Sequence, residues 1–510
     1  MIDFNIDVEL SVSDKGIKIF AETANTTPGS GIIKQKPKVI MDIKFFNTYS
    51  RSEEVFHPIG NNEVKMYTCG PTVYNFAHIG NFRAYIFEDL LRRTLKYSGF
   101  KVVQVMNLTD VDDKTIRDSI AAGMALDAYT KKFKDAFFRD LETLRVDRAE
   151  YYPEATKHIP EMIAIIKVLL EKGYAYVGED KSVYYSVAKF ADYGKLARID
   201  MENQRAGVRV KTDEYGKDSV ADFALWKVWD ANDGDVFWES PWGKGRPGWH
   251  IECSAMSMKY LGKTFDIHTG GIDNMFPHHE DELAQSEAAN GCRFVNYWLH
   301  CEHLIVNGQK MSKSLGNFFT LRDIFEKGFS GRELRWVLLG THYRKKLNFT
   351  LDACAQAKLV LQKFGDFFVR LHSVKNSGVE GDSAEPIVMQ AKTSFSSAIR
   401  DDLNISEALA SVFELQHAAN KLVESGKMGA KGATAVLDQF RDFDRIFAVF
   451  DLDSSLTSDV PEEINKLVDE RLSAKKSKNY ARSDEIRKEL LAKGWIVEDT
   501  AGGSRVKKDN

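Results

Sequence analysis

The segment FPHHEDEL, residues 276–283, places two adjacent histidines against three carboxylates in a stretch predicted to be helical. His278 and Glu282 are four residues apart, so on a helix their side chains project from one face. An imidazole and a carboxylate at that spacing are typical of half a metal site, although a solvated helix face can carry the same residues. A complete site would need donors from other segments.

Two cysteines are candidates for the missing donors. Cys69 follows a predicted strand, at the sheet edge where open α/β folds bind ligands, and Cys253 lies in GWHIECSAM. With His278 and Glu282 they would offer two sulfurs, one nitrogen and one oxygen, a set that suits Zn²⁺ rather than Mg²⁺ or Ca²⁺. Either cysteine could instead be a buried inert thiol. Spacing alone leaves five further donors open: His250, His268, His279, Glu280 and Cys301.

Two other segments have the composition of phosphate-binding sites. In AHIGN, residues 77–81, His78, Gly80 and Asn81 stand where a helix begins, and helix N-termini bind phosphate through free N–H groups and the helix dipole. A plain N-cap would look the same. In NGQKMSKSLGN, residues 307–317, Lys310 and Lys313 lie in a loop bounded by glycines. Such a loop can fold over a triphosphate and stabilise the charge on a leaving pyrophosphate. The alternative interpretation is an ordinary basic surface loop.

The elements that must position these residues read as a doubly wound, parallel α/β domain. KMYTCG predicts a strand, AYIFEDLLRRTLKYSG a helix and KVVQVMNL a buried strand, which is the opening of such a fold. Residues 127–173 look helical, and 150–245 read as an insertion. The pattern resumes with a helix from about Ile251, the strand TFDIHTG, the FPHHEDEL helix and YWLHCEHLIV as one strand.

The flanking regions differ from this domain. Residues 1–41 lack sustained periodicity and predict a poorly ordered extension, with Met41 as an alternative start. Beyond about Leu347 the chain reads as helical to Asp451, and a final helical stretch over 461–493 leads into a hairpin turned at Gly502-Gly503. Because every chemical motif precedes Leu347, the sequence predicts that a chain cut there keeps some of its chemistry, provided that it folds.

Composition narrows the class of protein. The 510 residues are 43% hydrophobic and 28% charged, as in soluble proteins of several domains, and no apolar run approaches the length of a membrane span. Five scattered cysteines predict a reducing cytoplasm without a disulfide framework. The net charge is −4, but residues 466–510 carry twelve Lys or Arg against eight Asp or Glu. This local positive charge weakly indicates RNA binding, and a solvated helix with a frayed tail would explain it equally well.

These motifs resemble a known family. KMSKS downstream of a HIGH-like motif resembles class I aminoacyl-tRNA synthetases. CGPTVYNFAHIGN, NLTDVDDK, GRPGWHIECSAM, FDIHTGG and FPHHEDE together resemble the cysteinyl-tRNA synthetases, over residues 42–510. Two positions depart from the usual pattern: Asn81 stands in place of the second histidine of HIGH, and Lys475 stands where arginine is common.

The resemblance implies a reaction and a set of site residues. ATP, entering with Mg²⁺, and L-cysteine would form cysteinyl-adenylate, and the cysteinyl group would pass to the 2′-hydroxyl of the terminal adenosine of tRNA(Cys). One zinc per chain would capture the substrate thiolate. The implied metal ligands are Cys69, Cys253, His278 and Glu282; the amino-acid pocket is Thr109, Trp249 and Asp273; the catalytic and ATP-binding residues are His78, Gly80, Asn81, Lys310 and Lys313.

The resemblance also implies a domain plan. The predicted parts are a Rossmann-type catalytic domain over 42–346 with a connective insertion at 150–245, a helical stem-contact region over 347–383, a helical anticodon-binding domain over 384–455, and a small C-terminal α+β anticodon-recognition module over 456–510. The RNA contacts of that last module are expected at Lys475, Tyr480, Asp484, Arg487 and Asp499. We expect a cytoplasmic monomer that binds tRNA(Cys), L-cysteine and ATP and no membrane.

Three alternatives stay open beside this reading. A relative that joins cysteine to a sugar amine would lack the anticodon module, which disfavours it because residues 384–510 are present. A non-catalytic RNA-binding relative should have lost KMSKS or a zinc ligand. A zinc hydrolase would need an open coordination position and a carboxylate general base, and the sequence does not indicate that base uniquely.

Overall fold

The computed structural model describes residues 7–13, 16–22, 42–199, 222–453, 461–500 and 503–508. It divides into two compact units, Met1–Met41 and Asp42–Asn510. In the first unit, strands β1 (Asp7–Ser13) and β2 (Gly16–Glu22) pair antiparallel. The prediction of a poorly ordered extension did not include this hairpin. The apolar alternation in DVELSVS is its signal, since side chains in a strand alternate between faces.

The second unit contains the remaining elements. Its helices are α1 (Ile79–Tyr97), α2 (Asp113–Ala121), α3 (Leu126–Thr143), α4 (Ile159–Glu171), α5 (Trp249–Leu261), α6 (Glu280–Asn290), α7 (Leu321–Glu326), α8 (Gly331–Leu339), α9 (Leu351–Ser377), α10 (Glu385–Arg400), α11 (Ile405–Glu424), α12 (Ala430–Phe447), α13 (Glu462–Lys476) and α14 (Tyr480–Ala492). Its strands are β3 (Lys44–Asn47), β4 (Ser52–Val55), β5 (Glu63–Thr68), β6 (Lys101–Met106), β7 (Ala175–Val177), β8 (Val183–Tyr185), β9 (Phe223–Val228), β10 (Gly245–Pro247), β11 (Phe265–Gly271), β12 (Val295–Cys301), β13 (Leu304–Val306), β14 (Gln309–Lys310), β15 (Leu347–Phe349), β16 (Trp495–Thr500) and β17 (Gly503–Lys508).

The central sheet is parallel, with the strand order β12-β11-β5-β6. Successive residues face opposite sides of it: Met66 packs into the core cluster that contains α1, and Tyr67 into the cluster that contains α5 and α6. The sheet is therefore covered on both faces, as its apolar strands require. The predicted doubly wound α/β class is confirmed.

The register aligns the carboxyl ends of three strands. Thr68 of β5 pairs with Met106 of β6 and with Thr269 of β11. The next residue, Cys69, donates its backbone N–H to the carbonyl of Thr269 at 3.3 Å. Open α/β sheets bind ligands at this edge, so the topology places Cys69 where a site is expected.

Several elements differ from the sequence prediction. YWLHCEHLIV forms two strands, because the chain leaves the parallel sheet after Cys301 and β13 joins a separate sheet of order β14-β13-β15. The predicted helix over 127–173 is broken between Thr143 and Ile159. The FPHHEDEL helix begins at Glu280, after a turn in which Phe276 is extended.

The segment predicted as an insertion forms its own antiparallel sheet, in the order β10-β9-β8-β7. Its core residues, among them Tyr185 and Trp226, pack into the same cluster as Ile251 of α5 and Leu283 of α6. The insertion therefore packs against the two helices that carry Cys253 and Glu282, two of the four predicted metal ligands.

The helical region shares one core with the parallel sheet, whereas the C-terminal module has a core of its own. A continuous cluster runs from Met66 in β5 to Phe440 in α12. The module has a separate small cluster: Ile464, Val468, Ile486, Leu490, Trp495 and Val497. Its predicted hairpin is confirmed, since β16 pairs antiparallel with β17; the turn at 501–502 lies outside the described residues. None of the described helices is long and apolar enough to cross a membrane.

Candidate active site

A cavity of 740 Å³ opens at the carboxyl ends of the parallel strands. Ten of the residues singled out from the sequence line it: Cys69, His78, Gly80, Asn81, Thr109, Trp249, Asp273, His278, Cys301 and Lys310. Segments far apart in the sequence thus meet in one place. Lys313 begins a short 3₁₀ turn, but its side chain lies outside the described residues.

Four potential metal donors lie together in this region. One ligand atom from each of Cys69, Cys253, His278 and Glu282 falls within 4.8 Å of the others, and all four residues are buried. Cys69 follows β5, Cys253 lies on α5, and His278 and Glu282 flank the start of α6. Oε1 of Glu282 is buried and forms an ion pair with Nε2 of His278 at 3.0 Å. A buried anionic oxygen beside two sulfurs and an imidazole fits Zn²⁺.

The electrostatics of these donors favour a cation. Burial opposes ionisation of the Glu282 carboxyl, yet His268 and His278 lower its pKa to about 2. Burial also disfavours the Cys253 thiolate, but the hydrogen bond from Cys69 and the nearby His278 lower its pKa to about 6. Burial and the same hydrogen bond raise the pKa of the Cys69 thiol well above its usual value. Negative charge therefore concentrates on Cys253 and Glu282. Without a metal His278 balances part of it, because burial is outweighed by Glu282 and Cys253, which raise the pKa of His278 to about 10.

A second set of donors overlaps the first. Cys69 and Glu282 also lie within 4.8 Å of ring nitrogens of His268 and His279. His268 Nε2 lies 2.9 Å from Glu282 Oε2, and His279 Nε2 lies 3.1 Å from Cys69 Sγ. His278 and Cys69 border the cavity, whereas His268 and His279 do not. The first set can therefore present a metal to a substrate, while these two imidazoles hold its ligands from behind.

The other open donors have different environments. Glu280 accepts backbone hydrogen bonds from Gly194 and Ala197, each at 2.8 Å. Cys301 belongs to neither four-donor set. His250 contacts His278, with their Nδ1 atoms 2.9 Å apart. The structure thus brings together the four donors singled out first from the sequence. Of the five competing residues, it places His268 and His279 in the overlapping set and leaves His250, Glu280 and Cys301 outside both sets.

The predicted amino-acid pocket also converges on the cavity. Trp249 is 40% exposed and stacks on His278, with ring centroids 4.1 Å apart. The hydroxyl of Thr109 donates to Glu252 at 2.9 Å. Asp273 is exposed at the rim, with Oδ1 3.6 Å from His303 Nδ1. These positions suit the walls of a small-molecule site.

Sequence reasoning missed two polar residues that shape this pocket. Glu252 is buried, and its burial together with the nearby Cys253 raises its pKa well above the usual value. Asn107 donates to Thr109 Oγ1 at 3.1 Å and accepts from the backbone N–H of Gly70 at 2.8 Å. Position is the signal that could have found them: Asn107 directly follows a strand, and Glu252 lies three residues after Trp249 on one helix face.

The AHIGN segment caps α1. Nδ1 of His78 accepts from the backbone N–H of Asn81 at 3.2 Å, and Oδ1 of Asn81 accepts from that of His78 at 3.1 Å. This reciprocal cap leaves Nε2 of His78 as the nitrogen that carries the proton in the neutral ring. Asn81 thus has a local structural role. A Cβ on Gly80 would lie 3.0 Å from the His78 ring and 3.1 Å from Met311 of the KMSKS loop.

The KMSKS loop lies against the same cavity. Lys310, in β14, and Met311 line it. Asn317 closes the loop by accepting from the backbone N–H of Ser312 at 2.8 Å and donating to the carbonyl of Lys310 at 3.2 Å. A cationic loop is thereby held beside the N-terminus of α1, which favours anions.

Family models match most of the chain. A model described as the tRNA synthetases class I (C) catalytic domain matches residues 55–359, a DALR domain matches 394–451, and a cysteinyl-tRNA ligase anticodon binding domain matches 457–506. A cysteine–tRNA ligase of Protochlamydia amoebophila is 50% identical over 91% of this chain and 98% of its own.

The chain belongs to the cysteine–tRNA ligase family.

Other family members are similar over almost their whole length. The cysteine–tRNA ligase of Brachyspira hyodysenteriae is 50% identical over 92% of this chain and 99% of its own, and that of Chlamydia pneumoniae 47% over 92% and 98%. Among solved structures, a Mycobacterium tuberculosis methionyl-tRNA synthetase in complex with methionyl-adenylate superposes with a TM-score of 0.59 at 15% identity, covering 76% of this chain and 92% of its own. That likeness supports the fold alone.

The C-terminal module, which matches the family's anticodon binding domain, carries the residues predicted to contact RNA. Tyr480, Asp484 and Arg487 follow a helical spacing on α14, so they share one face, and all three are exposed. Lys475 lies near the end of α13. The side chain of Asp499 lies outside the described residues.

Proposed function

We propose that this protein joins L-cysteine to tRNA(Cys), using ATP, and that a zinc ion held by Cys69, Cys253, His278 and Glu282 selects the amino acid. One observation carries the proposal: the four donors lie beside the same cavity that is lined by the N-terminus of α1 and by the KMSKS loop. A nucleotide and a zinc-bound thiol could therefore meet in one site.

The residues proposed for the activation step form two groups, one that would bind the amino acid and one that would bind ATP. When bound, Zn²⁺ favours the thiolate form of a cysteine substrate, because it lowers a thiol pKa and prefers soft sulfur. Trp249, stacked on His278, would close one side of the amino-acid pocket, and the exposed carboxylate of Asp273 would bind the substrate ammonium group. This arrangement would orient the substrate carboxylate toward the nucleotide.

The ATP side of the site would supply positive charge. ATP, entering with Mg²⁺, would place its phosphates at the N-terminus of α1, where Gly80 permits close approach and His78 can donate from Nε2. Lys310 and Lys313 would then stabilise the charge that builds on the leaving pyrophosphate as the substrate carboxylate attacks the α-phosphate. Adenylate formation thus depends on positioning and electrostatics.

Transfer would require the C-terminal half of the chain. We assign residues 42–346, with the insertion at 150–245, to activation, 347–383 to stem contacts, and 384–455 and 456–510 to anticodon recognition. The exposed face of α14 that carries Tyr480, Asp484 and Arg487 would contact RNA, together with Lys475 and Asp499. We further propose that the protein acts as a cytoplasmic monomer.

The test is amino-acid-dependent ATP–pyrophosphate exchange across a panel of amino acids, followed by charging of a tRNA(Cys) transcript. We expect exchange with cysteine and charging of that tRNA. Exchange with another amino acid in place of cysteine would overturn the proposal. Cysteine-dependent exchange with transfer only to an amino sugar would identify a different ligase, and the absence of any exchange would indicate a non-catalytic RNA-binding protein.

A further inference from the structure

The zinc ligand His278 is held from behind by a second imidazole. Its Nε2 lies 3.0 Å from Glu282 Oε1, on the side of the metal donors. Its Nδ1 lies 2.9 Å from Nδ1 of His250. A neutral imidazole that binds metal through Nε2 carries its proton on Nδ1. His278 can therefore donate to His250.

His250 in turn contacts the buried carboxylate of Asp281. With its Nδ1 accepting from His278, its proton lies on Nε2, which is 3.2 Å from Oδ2 of Asp281. The other oxygen of Asp281, Oδ1, accepts from the hydroxyl of Tyr193 at 2.5 Å. Asp281 is 1% exposed. Each hydrogen bond in this series has one donor and one acceptor, so the whole series selects a single tautomer of His278.

The far end of this series belongs to the insertion. Tyr193 lies in a turn of residues 191–198. The backbone N–H groups of Gly194 and Ala197, in the same turn, donate to the Glu280 carboxylate at 2.8 Å each. Arg51 donates to the carbonyl of Leu196 at 2.9 Å. This turn is therefore bonded to two consecutive residues, Glu280 and Asp281, that lie next to the ligand Glu282.

We propose that Tyr193, Asp281 and His250 are positioning residues that fix the tautomer and orientation of His278, so that the insertion contributes to zinc affinity. This inference rests on the proposed zinc site and goes beyond its four ligands. Hydrogen-bonded partners of this kind, when removed, typically lower metal affinity about 10-fold to 100-fold.

The test measures zinc affinity by competition with a chromophoric chelator, on full-length protein. Asp281→Asn replaces the carboxylate that accepts from both His250 and Tyr193, and we expect a zinc dissociation constant about 10-fold to 100-fold higher. Tyr193→Phe removes only one hydroxyl, and we expect a change near the lower end of that range. The Co²⁺-substituted Asp281→Asn protein should also show a shifted visible absorption spectrum, because the orientation of one ligand changes.

Tyr184→Phe is the matched control. Tyr184 also lies in the insertion and donates to an aspartate, Asp180, at 2.8 Å, but neither residue is among the metal donors. We expect its zinc affinity to equal that of the unaltered protein. If Tyr193→Phe and Asp281→Asn bind zinc as tightly as Tyr184→Phe, the positioning role is wrong while the zinc site stands. If Asp281→Asn does not fold, the comparison between Tyr193→Phe and Tyr184→Phe decides. An unaltered protein that binds no zinc would overturn the proposed zinc site itself.

Discussion

Glu282 uses its two carboxylate oxygens differently. Oε2 lies 2.9 Å from His268 Nε2, whereas Oε1 forms an ion pair with His278 Nε2 at 3.0 Å. Both Oε1 and this Nε2 are potential metal donors. A metal ion bound by them would take the place of the ion pair, and His268 would hold the carboxylate in place.

The four-donor set predicts the metal content of two variants. Cys253→Ser replaces a soft sulfur by oxygen and His278→Ala removes a nitrogen donor, so each should leave less than one zinc per chain after gel filtration. Cys354→Ser is the control, because Cys354 is a buried thiol on α9 outside both donor sets. The measurement is zinc by atomic absorption. Full zinc occupancy in both ligand variants would refute the ligand assignment.

The KMSKS loop predicts a kinetic effect at Lys313. Its ammonium group would lie where negative charge develops in the transition state. Removing one such group typically raises the activation free energy by ~3 kcal/mol. Lys313→Ala should therefore slow cysteine-dependent pyrophosphate exchange by ~10²-fold while changing the KM for cysteine little. The control is Lys327→Ala, at an exposed position beyond α7. An unchanged exchange rate in Lys313→Ala would contradict the role.

At the scale of elements, the site depends on the close approach of Gly70, which follows β5, to Asn107, which follows β6. A Cβ on Gly70 would lie 1.8 Å from the carbonyl oxygen of Asn107. Gly70→Ala should push the two strand ends apart, destabilising the fold by ~1–3 kcal/mol and lowering cysteine exchange, since Cys69 precedes it. Calorimetry and exchange assays check this. Gly365→Ala, in helix α9 with open space at its Cβ position, should keep or raise stability. Equal melting temperatures for both variants would contradict the argument.

Local patterns predicted most of the elements that build the site. The strand KMYTCG, the helix that follows it and the strand KVVQVMNL have the periodicity of the observed β5, α1 and β6. YWLHCEHLIV was misread as one strand although two consecutive polar residues, Glu302 and His303, interrupt its pattern at the point where the chain changes sheets. That change depends on the partner β15, some forty residues later, which a local pattern cannot contain.

Residue types were enough to propose the four metal donors, but the side chains that hold these donors in place were not predictable. Residue types singled out Cys69, Cys253, His278 and Glu282, whereas spacing left His268 and His279 as equal competitors. Only the three-dimensional arrangement distinguishes them, since His278 borders the cavity and the other two do not. Tyr193 carries no motif, and its hydrogen bond to Asp281 joins residues 88 positions apart.

At the scale of the whole molecule, the regions before and after Leu347 share one core. The guanidinium of Arg335 is fully buried, pairs with Asp89 of α1 at 2.5 Å and donates to the carbonyl of Phe447 at 2.6 Å. Tyr97 of α1 likewise donates to Asp442 at 2.9 Å. A cut after Leu347 would expose this shared core. We therefore expect that the folding condition of the sequence prediction is not met by the shortened chain.

The C-terminal module allows a cleaner cut, because its core is separate. A chain that ends at Asp453 should keep cysteine-dependent exchange within about twofold of the full chain. Its charging of tRNA(Cys) should fall ~10²-fold, since one of two linked binding regions is lost. The measurements are exchange and charging on both chains, with melting temperature as the control for folding. Undiminished charging by the shortened chain would remove the case for RNA recognition by this module.

The function proposed for the whole molecule requires that it distinguish cysteine from serine, and we propose that zinc does so. Cysteine and serine differ only by sulfur for oxygen, and a pocket that relies on shape separates such near-isosteres by only about 10²-fold. Zinc can do better, because it binds a thiolate readily and a far less acidic hydroxyl poorly. Discrimination should therefore depend on the metal.

The most direct test is ATP–pyrophosphate exchange with cysteine and with serine, on the zinc-loaded protein and on the same protein stripped of zinc by a chelator. We predict that the zinc-loaded protein activates serine at least ~10⁴-fold less efficiently than cysteine, beyond what a pocket without such chemistry achieves, and that stripping zinc abolishes this preference, with reloading as the control. Comparable activation of serine by the zinc-loaded protein, or a preference for cysteine that persists in folded, zinc-free protein, would contradict selection by the metal.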